Sequence, residues 1–269
     1  MADNSPMPAA SLPRFLAIEC STDTLSVALG SGRPGDAVAE HTGPGGPQSS
    51  TSLLPAVRRL LTQAGCTLAD LAAIAFARGP GSFTGLRTAC AVAQGLAFGV
   101  DVPVLPVDTL LAVAEEARFA QCQAGHLQSD APLTVLAMLD ARMDEVYSAA
   151  YLWQPSSEVD GRVQGHWQEA SPLQVSAPEK IHRPQGKAVL LAGNALAVYG
   201  ARLPQGRHEV ALPTAAALLR LAPDLWAKGL AVPADQAMPL YIRDKVANTT
   251  AEREAMKAQA ASAKAAPQA

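Results

Sequence analysis

The stretch Phe15-Leu16-Ala17-Ile18-Glu19-Cys20-Ser21-Thr22-Asp23-Thr24-Leu25-Ser26-Val27-Ala28-Leu29-Gly30 sets the architecture. The apolar run from Phe15 to Cys20 reads as a buried strand, Ser21 to Thr24 supply turn chemistry, and Leu25 to Gly30 read as the returning strand. A third strand around Ala37 to His41 completes an antiparallel meander, and Gly43-Pro44-Gly45-Gly46-Pro47 is a loop by composition. Beyond it Leu53, Leu54, Val57, Leu60 and Leu61 recur at helical spacing, with Gly65 placed to end the helix. Ala73 to Ala77 is the next strand and Leu86 to Phe98 an alanine-rich helix closed by Gly99. Pro103 to Val107 is a further strand, and Asp108 caps a helix running to about Ala120. Three strands, then helix, strand, helix, strand, helix, couple a meander to two crossover units in one mixed sheet, so the fold class is α/β.

The polar stretch Gln121 to Pro132 reads as a boundary. After it come strands at Leu133 to Leu139, Val146 to Trp153 and Gly165 to Glu169, then a short helix begun by Ser176. Val189 to Ala192 is a strand, Gly193-Asn194 a turn, and Thr214 to Lys228 a helix with Leu218, Leu219 and Leu221 on one face. This half repeats the first in a shorter form. The expected organisation is a disordered N-terminus over 1–13, a first lobe over 14–126, a second and degenerate lobe over 127–243, and a flexible tail over 244–269, which is Ala, Lys and Gln with little to bury. The helix over 214–229 belongs either to the second lobe or, packed back, to the first.

Composition narrows the function classes. The chain has 269 residues, of which 54 are Ala and only 5 Phe, 3 Trp and 4 Tyr. At about 25 cal/mol per Å² of buried apolar surface, such a core relies on Leu, Val and Ile and on close backbone approach. The net charge is -3, and Arg58-Arg59 is the only adjacent basic pair. Phosphate contacts supply most non-specific nucleic-acid affinity, so any role with DNA or RNA is expected to go through another protein. No window approaches the ~20 apolar residues of a membrane span, and Met1 to Arg14 lacks the basic and apolar segments of a signal peptide. Cys20, Cys66, Cys90 and Cys122 form no CxxC pair, which argues against a zinc knuckle or redox motif and for reduced thiols in a cytoplasmic protein.

Gly79-Pro80-Gly81-Ser82-Phe83-Thr84-Gly85-Leu86-Arg87 lies between a strand and a helix. Glycines, a helix N-terminus and donors on Ser82, Thr84 and Arg87 make it a candidate phosphate cradle; the plain alternative is a tight turn whose Ser and Thr cap the helix. Leu86 stands where a Walker A loop needs Lys. The GxGxxxG spacing also departs from the dinucleotide fingerprint, although Asp108 lies near a ribose-binding position. The preceding hairpin and the bulky Phe83 count against that fold.

This loop, with Asp140-Ala141-Arg142-Met143-Asp144-Glu145-Val146-Tyr147 and Pro239-Leu240-Tyr241-Ile242-Arg243, resembles the bacterial tRNA threonylcarbamoyladenosine biosynthesis protein family TsaB, also called YeaZ-like. The resemblance runs from about Phe15 to Arg243. It implies a two-lobed ASKHA fold (actin, sugar kinase and Hsp70 type) with mixed sheets. It also implies a non-catalytic scaffold role: binding and stabilising a TsaD-like subunit that places a threonylcarbamoyl group on tRNA adenosine beside the anticodon. ATP and metal then belong to the partner subunits, which include a TsaE-like ATPase; a second copy of the chain is another implied partner, and tRNA is reached only through the complex. The TsaD metal site uses two histidines four apart on a helix, whereas His41, His126, His166, His182 and His208 contain no such pair.

On this reading a vestigial phosphate site comprises Gly79, Gly81, Ser82, Thr84, Gly85 and Arg87 with Glu19 and Thr22 of the first turn. Glu19-Cys20-Ser21-Thr22 departs from the family's Asp-Thr-Ser/Ala-Thr, which makes phosphoryl transfer less expected, and Glu19 reads better as a carboxylate meeting backbone N–H groups. Ser49 replaces a usual His ahead of Leu53-Leu54-Pro55, and the helix start is kept because Ser caps well. Asp140, Arg142, Glu145, Tyr147, Tyr241 and Arg243 are assigned to a cleft or interface turn. Leu53, Leu54, Val57, Leu60 and Leu61 with Ala89, Val92, Ala93 and Leu96 are assigned to the partner interface, against the ordinary alternative that such stripes are core. Competing functions are an active ATP-dependent phosphotransferase of the same fold and a glycoprotease-like peptidase; the latter is disfavoured because there is no GxSxG elbow and no zinc motif.

Overall fold

The structure, a computed structural model, describes residues 12–242 apart from 160, 161 and 187. β1 (Phe15–Glu19), β2 (Thr24–Gly30) and β3 (Ala39–Pro44) form the meander, followed by α1 (Ser49–Ala64), β4 (Ala73–Gly79), α2 (Phe83–Val100), β5 (Val104–Asp108) and α3 (Thr109–Gln123). Phe15 opposite Gly30 and Glu19 opposite Ser26 make β1 and β2 antiparallel, whereas Phe15 beside Ala73 makes β1 and β4 parallel, in the order β3-β2-β1-β4-β5. The second half contains β6 (Leu133–Arg142), β7 (Glu145–Val159), β8 (Arg162–Ser176), β9 (Val189–Gly193), α4 (Ala195–Tyr199), β10 (His208–Glu209) and α5 (Ala215–Ala227). Its sheet, β8-β7-β6-β9-β10, is antiparallel between β6 and β7 and parallel between β6 and β9, and so repeats the first strand for strand. Where α1 follows the first meander, the second has a single 3-10 turn, Pro178–Lys180.

Strand alternation explains the layering. Leu16, Ile18, Val27, Ile74 and Phe76 face α1 and α2, while Phe15, Ala17, Ala28, Ala73, Ala75 and Ala77 face the other way, toward α3 and α5. That inner face is almost bare of bulk, so α5 lies close: Ala215 N–H donates to Ser26 Oγ at 2.7 Å, and a Cβ on Gly32 would fall 2.1 Å from Leu219 O. The helix over 214–229 therefore packs back on the first sheet, although it follows the second in sequence. α3 fills the space between the sheets, and Leu133, Val135, Ala137 and Leu139 of β6 join the same core. Alanine is thus an interlobe residue as much as a helix residue, a role its abundance alone does not reveal.

Several boundaries differ from the sequence expectation. β3 begins two residues and ends three residues later than expected, paired residue for residue with β2 from Ala39 opposite Leu29 to Pro44 opposite Thr24. β8 spans fifteen residues rather than five, because β7 offers it a partner along its whole length. Ser176 ends that strand instead of starting a helix. α2 begins at Phe83, absorbs Gly85 and runs through Gly99, ending at Asp101 in the left-handed region (φ 55). Gly95 and Gly99 lie in open space and the helix survives them on its packing against β4. Asp108 has the N-cap backbone of α3, but its carboxylate accepts from Arg78 Nε at 2.5 Å instead of capping. α1 lacks a side-chain N-cap, and Ser50 and Thr51 donate back to Pro47 O and Gln48 O. Cys20 and Cys90 are buried, Cys66 and Cys122 half-buried, and all four are free thiols. No helix among the described residues is long and apolar enough to cross a membrane.

Candidate functional site: the interlobe cleft

Turns from both halves meet around a cavity of about 330 Å³. The first lobe contributes Ser21, Thr22 and Asp23 from the β1–β2 turn and Gly81, Ser82 and Phe83 from the glycine loop; the second contributes Asp140, Arg142, Met143, Tyr147 and Asn194.

The glycine loop is shaped by backbone contact. A Cβ on Gly81 would lie 2.6 Å from Ser21 O, and one on Gly85 1.7 Å from Cys20 O, so both glycines let α2 press on the β1–β2 turn. Gly79, at φ 130, would bring a Cβ within 2.6 Å of Leu240 O. The Ser82 amide, one of the donors a phosphate would use, donates to Ser21 O at 2.8 Å. Arg87 points away from the cavity: its Nε donates to Tyr241 Oη at 3.0 Å, beside Phe83 and Tyr241 rings stacked 5.1 Å apart. Of the expected phosphate site, Thr22, Gly81 and Ser82 line the cleft, while Gly79, Thr84, Gly85, Arg87 and Glu19 do not.

Glu19 is 1% exposed. Its Oε1 accepts the Ser21 N–H and its Oε2 is buried without a partner. Burial pushes its pKa up to about 7, against the pull of hydrogen bonding from Ser21. The residue therefore braces its own turn, the plainer of the two readings. Burial, with Glu19 beside it, raises the Cys20 thiol to about 12, so Cys20 stays protonated. Ser49 is fully buried at the start of α1, beside the Cys20 thiol. Among the described residues no three His, Cys, Asp or Glu side chains gather as a metal ion requires.

On the opposite wall Arg142, Met143 and Asp144 occupy the left-handed region in succession (φ 61, 56 and 61), an arrangement that costs energy unless its surroundings hold it. They do hold it. Asp140 Oδ1 accepts from Tyr199 Oη and from Arg142 N, each at 2.8 Å, and Asp140 N–H donates to Asn194 Oδ1 at 2.9 Å. Arg202 grips both Asp144 oxygens, at 2.5 and 2.8 Å, and reaches Glu179 as well, holding both carboxyls below their ordinary pKa. Tyr147 lines the cavity, Tyr241 stands outside it in the Arg87 stack, and Arg243 lies outside the described residues. Asn194, Tyr199 and Arg202 escaped the sequence reading; the Gly193-Asn194 turn was the one available sign of them.

The residues assigned to a partner interface divide. Leu53, Val57, Leu60, Ala89 and Ala93 are buried against the first sheet and present nothing outward, because a helix on a sheet turns its apolar stripe inward. Leu61, Val92 and Leu96 are half-buried. Leu54 remains outside at 49% exposure, and α2 adds Phe98, 82% exposed, among the small residues Ala91, Gly95 and Gly99.

A twice-used meander with crossover helices, its two copies facing across a cleft of turns, defines a two-lobed α/β protein of ASKHA type. The chain belongs to the TsaB family: it is 34% identical to "tRNA threonylcarbamoyladenosine biosynthesis protein TsaB" of Escherichia coli (strain K12), over 87% of this chain and 96% of that one. The Haemophilus influenzae protein of the same name is 33% identical over 86% and 94%. The solved structure "YeaZ from Pseudomonas aeruginosa" superposes with a TM-score of 0.69 at 37% identity, covering 85% of this chain and 99% of its own. Residues 40–260 match the family model described as "TsaD: tRNA N6-adenosine threonylcarbamoyltransferase".

Proposed function

We propose that this chain serves the synthesis of N6-threonylcarbamoyladenosine in tRNA as a non-catalytic subunit that binds and stabilises a TsaD-like catalytic partner. Relatives of nearly full length carry the biosynthetic role in their names. The outer face of α1 and α2 carries the scaffold reading. Phe98 stands out from α2, where Ala91, Gly95 and Gly99 leave little bulk around it, and the outer face of α1 carries an apolar hollow along Leu54, Pro55, Arg58 and Thr62. Covering a Phe side chain is worth roughly 2 kcal/mol, and small residues beside it let a partner helix approach closely. In the cleft, the Ser82 amide and Arg87 are engaged within the chain and Glu19 is enclosed, which favours structural service over phosphoryl transfer.

On this proposal ATP and metal reside in the partner subunits, including a TsaE-like ATPase, and the assembly works in the cytoplasm. With a net charge of -3 the chain leaves tRNA binding to the complex. The experiment is size-exclusion chromatography of the full chain with a TsaD-like subunit at micromolar concentration. Co-elution is expected for the wild type and its loss for Phe98→Asp, whose thermal midpoint stays unchanged because the side chain is exposed. A second copy of the chain occupies the same face when the partner is absent. No co-elution of the wild type, or full co-elution of Phe98→Asp, overturns the proposal.

A further inference from the structure

A second cavity, of about 290 Å³, shares no residue with the cleft. It opens where the loop after β2, the C-terminal half of α3, the β7–β8 hairpin and α5 meet, and it continues into a shallower groove past Arg33 and Gln164. Its wall includes the exposed edges of two otherwise buried indoles, Trp153 at 6% and Trp167 at 7% exposure. Trp153 and Trp167 sit edge to face with ring centroids 5.4 Å apart, and the Arg118 guanidinium lies 3.9 Å over the Trp153 ring. A Cβ on Gly165 would strike the Trp153 ring at 2.4 Å, so the absence of a side chain there is what lets the indole lie against the hairpin.

The floor is charged but internally answered. Glu115, buried among α3, α5 and β8, accepts from Trp167 Nε1 at 3.0 Å, from Arg118 at 3.1 Å and from Arg220 Nε at 3.0 Å, and Arg220 also reaches Glu116 at 2.5 Å. Two cations meet two carboxylates, so the floor attracts no ion and its fixed network holds the indoles in place. Arg33, at the mouth, is exposed and forms no ion pair among the described residues. Asp224 also lines the cavity, but its carboxylate is paired with Lys228 at 2.8 Å, which leaves Arg33 as the rim charge without an ion pair among the described residues; an aromatic wall, an internally answered floor and that cation define a ligand shape.

We infer that this second cavity binds a flat aromatic molecule bearing a single anionic group, its ring between the indole edges of Trp153 and Trp167 and the apolar lining of Pro34, Phe119 and Pro223, and its anion on Arg33. The site is independent of partner docking, since it uses none of the outer residues of α1 and α2.

The chain contains three tryptophans, each with one indole N–H resonance. Trp226 serves as the internal reference, because it packs on Phe15 at 6.1 Å and does not line the cavity. Titrating the full-length, ¹⁵N-labelled protein with naphthalene-2-carboxylate is expected to shift Trp153 and Trp167 saturably, with a Kd on the order of 1 mM or tighter for so few atoms, while Trp226 stays still. Arg33→Ala should weaken this binding about fivefold, the range of an exposed ion pair. Naphthalene-2-methanol should bind wild type and variant alike, and cyclohexanecarboxylate should move neither indole. Equal shifts at all three tryptophans, no saturation, or an affinity for the carboxylate indifferent to Arg33→Ala overturns the inference.

Discussion

Replacing Gly85 by Ala sets two effects of opposite sign against each other. Gly85 is the third residue of α2, and within a helix Ala is favoured over Gly by roughly 1 kcal/mol. In this fold, however, the new methyl would sit 1.7 Å from Cys20 O. Relief to an ordinary contact near 3.3 Å requires the start of α2 and the β1–β2 turn to part by about 1.6 Å. The obstacle is backbone, so no rotamer change relieves it. That separation strains the Ser82-to-Ser21 hydrogen bond and disturbs the enclosed Glu19, so a net loss of about 3 kcal/mol is expected, at the upper end of overpacking costs. Urea denaturation followed by far-UV circular dichroism measures it as a fall in midpoint at unchanged slope. Gly95→Ala is the control, since a Cβ there meets nothing within 4 Å and the helix should gain about 0.5 to 1 kcal/mol. Were Gly85→Ala as stable as the wild type, or stabilised like Gly95→Ala, the account of this loop as a backbone joint would be wrong.

Glu19 makes stability depend on pH. Its pKa rises from 4.5 in the unfolded chain to about 7 in the folded one. Between those values the unfolded state binds fewer protons, so stability falls as pH rises, by on the order of 3 kcal/mol in all; Glu19→Gln should remove this slope between pH 5 and 8 in denaturation midpoints. Glu115→Gln leaves Arg118 and Arg220 without their shared carboxylate and is expected to cost about 3 to 5 kcal/mol, whereas Lys228→Ala, at an exposed pair with Asp224, should cost less than about 0.5 kcal/mol by the same measurement. Tyr199→Phe removes the hydroxyl that holds Asp140, and should cost about 1 kcal/mol and broaden the amide resonances of residues 141–144, which rely on that brace.

Local patterns were legible where one neighbour settles the matter. The hairpin from Phe15 to Gly30, the helical stripe from Leu53 to Leu61 and the stop at Gly65, left-handed at φ 58, depend on residues a few positions apart and were read correctly. Both limits of β8 were misplaced because its polar residues alternate too weakly to mark a strand, and only pairing with β7 extends it. The site was half legible. Gly79 to Ser82 and Asp140 to Tyr147 were singled out from sequence, but their use was not: whether a glycine receives an anion or a neighbouring carbonyl depends on what stands opposite it.

What the sequence determined alone was the order of elements and the kinship, since alternation, helical period and turn residues are short-range and the motifs are contiguous. Tertiary structure decided direction. It turned Leu53, Val57 and Leu60 inward and left Leu54 and Phe98 outside, laid α5 on the alanine face of the first sheet, and brought Asn194, Tyr199 and Arg202 to brace a turn 54 to 59 residues earlier. Periodicity reveals that a helix has an apolar face but not what that face meets, because burial is a property of the assembled layers.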